Sequence, residues 1–321
     1  MWSEELDLAI ISKVIKAMPL LRSITLAADI SEKDESWWAG LGYAGTGYGG
    51  MKTLNSPGLA AGVRQLGTLL LACRDAGTKL TSMDLHCLSW RFFEHLHQND
   101  GLQLFRSATC FLTRFSLDIA TITMQDEDDA DDEAAECRLF LRGDVLGQIL
   151  RDMTNLQHLQ LSADSTVRCH RHDNLWITLG STIRGHVWPH LTSLTLKQMA
   201  TSEETLLTFV GDHMPTLKQL HLGSLLLSTG NWISAFEKIR ELIVRHGLES
   251  LAISGCHYER EPHGHPSYIF ASRFQNTAEQ LCGTDCIPYG YNGTLECYLM
   301  YGGPCPYVWP YFAFATFDGD F

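Results

Sequence analysis

Trp188-Pro-His-Leu-Thr-Ser-Leu-Thr-Leu196 is a strand spelled out one residue at a time. Leu191, Leu194 and Leu196 are apolar, while Ser193 and Thr195 between them and Lys197 after them are polar. A period of two puts those sets on opposite faces of an extended chain. The proline favours an extended approach to the strand. The same Leu-x-x-Leu-x-Leu string, or a close apolar variant, occurs seven times, starting at Leu21, Leu80, Leu112, Leu156, Leu191, Leu217 and Leu248. Met18-Pro19 and Met214-Pro215 introduce two other copies in the same way.

Outward from the strings, the periodicity becomes helical. Leu6, Ile10, Val14 and Ala17 share one face of a helix predicted over residues 4–17. Leu59, Val63, Leu66 and Leu70 do so over 57–73, where Ser56-Pro57 supplies a cap and a first-turn proline. Val145, Ile149, Leu150 and Met153 belong to a helix over 144–153. Thr201 and Glu204 form a capping-box pattern ahead of Leu206, Leu207 and Val210. Trp232, Phe236, Ile239 and Ile243 line a helix over 232–245, ended by Gly247.

A recurring strand-plus-helix unit predicts an α/β fold, specifically an irregular leucine-rich repeat solenoid. Its parallel sheet would be curved, with helices on the convex side. The spacings between first leucines are 59, 32, 44, 35, 26 and 31 residues, so the repeats are irregular. The solenoid is expected over 1–256, with insertions at 37–56, rich in glycine and aromatics, and at 125–137. Residues 257–321 are expected to form an irregular cysteine- and aromatic-rich cap or tail, ending in the apolar run 307–317.

Charge excludes some functions. The net charge is −13, and the eight acids between Asp126 and Glu136 account for most of it, since without them the balance is −5. That run lacks the pattern of a calcium loop and is expected to be a solvated insertion. No basic stripe suits nucleic acid. No apolar run reaches the roughly 18 residues of a membrane span. Met1-Trp-Ser-Glu-Glu is acidic where an export signal would be basic, so a cytoplasmic or nuclear location with reduced thiols is expected. Asn292-Gly-Thr is accordingly expected to be a turn rather than a glycosylation site.

The alternation also names a candidate surface. If the leucines point inward, the residues between them line the exposed face of the sheet. Asp84, His86, Arg114, Asp118, His158, Gln160, Lys197, Gln219 and His221 form a mixed-charge stripe there, the candidate surface for a protein partner. Other motifs are weaker. Gly45-Thr-Gly-Tyr-Gly-Gly50 lacks the preceding strand and following helix that a nucleotide-binding loop requires. Cys282, Cys286, Cys297 and Cys305 could offer zinc four thiolates, but only the first pair has a suitable spacing, and scattered thiols are expected. Cys169-His-Arg-His172 is an isolated cluster. No catalytic motif stands out, so no cofactor, metal or catalytic residue is expected.

The phrases at 18–26, 153–161, 188–196 and Gly247-Leu-Glu-Ser-Leu-Ala-Ile-Ser-Gly-Cys256 resemble the leucine-rich region of fungal F-box proteins. Cys256 stands at the ninth position of its string, as in the cysteine-type repeats of that family. Asp29, Leu88, Ala120, Asp164, Met199 and Leu225 replace it in the others. The resemblance covers about residues 5–256 and implies substrate recruitment to a cullin ubiquitin ligase, by a chain whose first repeat begins close to Met1 with no F-box ahead of it. The expected function is therefore a non-enzymatic protein-binding scaffold, monomeric, binding neither nucleic acid nor membrane. A doubly wound α/β enzyme and a vestigial repeat protein are the alternatives. The enzyme is disfavoured because buried parallel strands of that fold read as continuous apolar runs.

Overall fold

A computed structural model describes residues 4–27, 63–98, 101–120, 135–164, 177–183, 185–254, 256–260, 266–271 and 291–301. The insertion at 37–56, the acidic residues 126–133, Cys169 to His172, Cys282, Cys286, Cys305 and the run 307–317 lie outside the described residues. The chain divides into two compact units, Met1–Leu175 with Ser181–Arg184 and Trp176–Gly180 with Gly185–Phe321.

All seven strings carry strands. The first unit contains α1 (Glu4–Lys16), β1 (Ser23–Ala27), α2 (Val63–Asp75), β2 (Ser82–Ser89), α3 (Arg91–Gln98), α4 (Leu102–Thr109), β3 (Arg114–Ala120), α5 (Val145–Arg151) and β4 (His158–Asp164). The strands are parallel and lie in chain order, β1-β2-β3-β4. Register is set just ahead of them, by the second residue of each string. The Arg22 carbonyl accepts from the N–H groups of Thr81 and Ser82. Thr81 does the same for Thr113 and Arg114, and Thr113 for Gln157 and His158. Each junction thus pairs two backbone donors at the start of the next strand, where a one-residue slip would invert every side chain.

The apolar face of this sheet is the core of the unit. Met83, Leu85, Phe115, Leu117, Leu159 and Leu161 are buried, together with Leu66 and Leu70 from α2 and Ile149 and Leu150 from α5. Phe92 of α3 meets Phe105 of α4 edge-on at 5.8 Å, the geometry that ring quadrupoles favour. Neither short helix was legible in the sequence, because each is only two turns long.

In the second unit each core strand is succeeded almost at once by another. The order is β5 (Ser193–Lys197), β6 (Ala200–Ser202), α7 (Glu203–His213), β7 (Gln219–Gly223), β8 (Leu226–Thr229), α8 (Trp232–His246), β9 (Ser250–Ser254), β10 (Cys256–Arg260), β11 (Pro266–Ala271) and α9 (Tyr291–Tyr301). The division between the units falls within the intervening helix α6 (Leu179–Ile183). Strands β5, β7 and β9 are parallel neighbours, and the Thr192 and Lys218 carbonyls repeat the two-donor junction. The additional strands form a second sheet in the order β6-β8-β10-β11, with β10 and β11 antiparallel. Gln198 (φ 53°) and Ser224 (φ 47°) turn the chain from the first sheet to the second through left-handed conformations.

Trp188 is fully buried. Its backbone N–H donates to His213 Nε2 at 3.0 Å, while His213 Nδ1 lies 2.7 Å from the Phe209 carbonyl. Burial pushes the His213 pKa down, which keeps the ring neutral and able to accept.

The leucine-rich repeat solenoid expected over 1–256 is not the architecture. The protein is an α/β fold of two compact units, and the second adds a four-stranded mixed sheet that no strand-plus-helix repeat predicts. Alternating leucines report a strand with one buried face, and that condition holds in any one-sided parallel sheet. They carry no information about the element that comes after each strand, and here β6, β8 and β10 come after three of them. Two local expectations also change. The cap of α7 is Ser202, whose Oγ accepts from Thr205 N, one residue beyond the predicted Thr201. Asn292-Gly-Thr lies inside α9 rather than in a turn.

Candidate functional site

Pairing of the strands turns the predicted stripe into rows. In the first unit Ser82, Arg114 and His158 are aligned, and beyond them Asp84, Ser116 and Gln160. Asp118 aligns with Ser162, and His86 with Ala27. Arg114 and His86 are exposed, and Asp84, Asp118, His158 and Gln160 half-buried. The His158 pKa is lowered by partial burial and then by the Arg114 charge, so its ring is neutral near pH 7. This face is polar, mixed in charge and open.

In the second unit the rows are Ser193, Gln219 and Ser250, then Thr195, His221 and Ala252, then Lys197, Gly223 and Ser254. His221 Nε2 reaches diagonally to Ser254 Oγ at 2.6 Å. Gly223 makes the convergence sterically possible. A Cβ there would stand 2.9 Å from both Lys197 Cγ and Ser254 Oγ, closer than real Cβ contacts come. Burial, and then the Lys197 charge, lowers the His221 pKa. Behind this row His257 is completely buried, edge-on to Trp232 at 4.8 Å, with Nε2 3.1 Å from the Ser254 carbonyl.

The structure therefore brings together Lys197 and His221 of the predicted stripe, and adds Ser254 and Gly223. Gln219 is exposed and lies at the other end of its strand. Asp84, His86, Arg114, Asp118, His158 and Gln160 share the sheet of the first unit. Ser254 and Gly223 were visible in the sequence only as small residues at strand ends. Their role depends on neighbours from strands about thirty residues apart, which no local pattern reports.

A hydroxyl on a neutral imidazole can undergo proton transfer. Among the described residues, however, no hydrogen bond or ion pair joins a carboxylate to His221 to orient it. Nor, among them, does any group of three or more His, Cys, Asp or Glu side chains offer a metal site. A surface depression beside α7 and α8 contains Glu203, which is engaged internally. It accepts from Asn231 N at 3.0 Å, Ser234 Oγ at 2.6 Å and Lys238 Nζ at 2.7 Å. Burial alone would raise its pKa, but these donors and the Lys238 charge more than offset that and lower it. No described helix is long and apolar enough to cross a membrane.

No protein-family model matches the chain, and no curated protein matches it. Among solved structures, the apo form of the 3-keto-D-glucoside 4-epimerase YcjR from E. coli is similar over 68% of this chain and 82% of that one, at 12% identity and a TM-score of 0.22. A score that low carries no argument about fold or activity.

Proposed function

We propose that this chain is a non-enzymatic binding module that holds another protein on the polar face of its parallel strands. One observation carries the proposal. In each unit most leucines of the strands are buried, while the residues between them are charged or amide side chains, with Arg114 and His86 exposed in the first unit and Gln219 in the second. Arginine is enriched at protein interfaces, whose rims are polar, and mixed charge supports register and selectivity more than bulk affinity.

Photo-crosslinking tests this. A crosslinker at His86 or Gln160 is expected to capture a defined protein, and one at Arg74 on α2 is not. Arg114→Glu is expected to abolish the capture without changing the melting temperature. Equal capture from both faces, or capture insensitive to Arg114→Glu, overturns the proposal. A role as the substrate-recognising part of a ubiquitin ligase is a narrower form of the same proposal, and its one support is the resemblance of four strings to the leucine-rich region of fungal F-box proteins. A pull-down with the ligase adaptor tests it, and failure of the folded chain to be retained removes it.

A further inference from the structure

We propose that Lys197 and Ser254, at the carboxyl ends of β5 and β9, and His221, midway along β7 between them, bind a side-chain carboxylate on an acidic segment of the protein partner. This inference rests on the binding-module proposal and names what one part of that face recognises.

Four observations support it. First, Lys197 is half-buried, yet among the described residues no carboxylate pairs with it, although the chain carries 37 acids against 24 lysines and arginines. Elsewhere in the unit, Lys238 is paired with Glu203 and Lys218 with Glu249 at the surface. Second, Gly223 lets the Lys197 methylenes and the Ser254 hydroxyl close over a single backbone position, Cγ and Oγ each 2.9 Å from where a Cβ would stand, so that the lysine chain and the hydroxyl lie side by side. Third, the hydroxyl is already held by His221 at 2.6 Å. A neutral ring that donates from Nε2 to Ser254 Oγ leaves the hydroxyl proton free for an anionic acceptor. Fourth, Gln198 and Ser224 come directly after β5 and β7 in left-handed conformations, with their N–H groups tied back to the Gly223 and Ser254 carbonyls at 2.8 Å each. Strained backbone of this kind persists where neighbours over-determine it, and it clusters at ligand sites.

The charge count selects a carboxylate. One ammonium, one neutral imidazole and one hydroxyl match a single negative charge. Among the described residues, the groups facing His221 are Lys197 from β5, Ser254 from β9 and the buried His257 from β10. None of them is an acid that would compete for the site.

Imidazole NMR of the full chain tests this at constant ionic strength and pH 7.5. The probes are an acetylated, amidated tri-glutamate peptide, its tri-glutamine counterpart and inorganic phosphate. The glutamate peptide is expected to shift the His221 resonances saturably and to raise the His221 pKa, while the glutamine peptide leaves both unchanged. Lys197→Met keeps the methylene packing on Gly223 and is expected to weaken the peptide about tenfold, the effect of losing one charge-assisted hydrogen bond. Ser254→Ala supplies a second variant should Lys197→Met fail to fold, and a weakening there is expected too. No shift with the glutamate peptide, an equal shift with glutamine, or tighter binding of phosphate each overturns the carboxylate assignment. A partner still captured on the sheet face in that case leaves the binding-module proposal standing, so the two fail separately.

Discussion

Gly223 is buried between Lys197 and Ser254, and its missing side chain is its contribution. Gly223→Ala is expected to destabilise the protein by about 1–3 kcal/mol in urea denaturation, as overpacking does, and to displace the His221–Ser254 contact. His257 makes a second residue-scale prediction, through its proton. In the unfolded chain its imidazole takes up a proton near pH 6.5, but burial lowers that to about 3 in the folded protein. Between those values the unfolded chain holds the extra proton. The stability that His257 contributes is therefore complete above pH 6.5 and declines as pH falls toward 3. His213 has the same sign. The urea midpoint is expected to drop between pH 7 and pH 4, and His257→Asn to flatten that slope. Identical slopes for the two proteins would rule out this role of His257.

At the scale of elements, helix starts in the second unit are fastened by side chains from their own caps and from each other. Asn231 caps α8 by accepting from Ser234 N at 2.8 Å, and Ser202 caps α7 by accepting from Thr205 N at 3.0 Å. Glu203, in the first turn of α7, binds Asn231 N and Ser234 Oγ at the start of α8. Asn231→Ala is expected to cost about 1 kcal/mol, and Asn231→Gly only a few tenths, by chemical denaturation. Because Glu203 accepts from both residues that this cap joins, Asn231 through its N–H and Ser234 through its hydroxyl, Glu203→Gln and Asn231→Ala are expected to be non-additive in a double-mutant cycle. Additive losses would mean that the two helix starts are independent. The strands are held differently. Their register depends on backbone carbonyls at Arg22, Thr81, Thr113, Thr192 and Lys218, to which the Thr81 and Thr113 hydroxyls add bonds to the Arg22 and Thr81 carbonyls.

For the molecule as a whole, stability rests on large buried side chains in each unit. Trp188 has no exposed surface and packs against Phe209 and His213. Trp188→Ala is expected to cost about 3–5 kcal/mol, and to speed hydrogen exchange across β5, α7 and β7. Unchanged exchange in those elements would show that Trp188 is not central to that unit. The positions of the seven main strands and the direction of their leucines were legible in the sequence, because burial on one face of a strand imposes a period of two. So were the bounds of α1 and α8 to within a residue, although Ile10 and Val14 of the apolar face read for α1 are exposed and Ile15 is its buried residue. The two-turn helices α3 and α4 and the strands β6 and β8 were not, since segments that short hold too few residues to show a period, nor was β10, which is as long as β9 but lacks its alternating apolar residues. A repeating solenoid is the natural reading of regularity in the strings, while the connections that decide architecture lie between them. Of the candidate site, Lys197 and His221 were legible as outward residues of their strands. Their convergence on Ser254 was not. The sequence by itself determined which face of each strand is apolar, because that depends only on neighbours along the chain. Only the tertiary structure decided that the chain turns into a second sheet after β5 and β7, and that a glycine lets a lysine, a histidine and a serine meet, because those outcomes depend on which strands are adjacent in space.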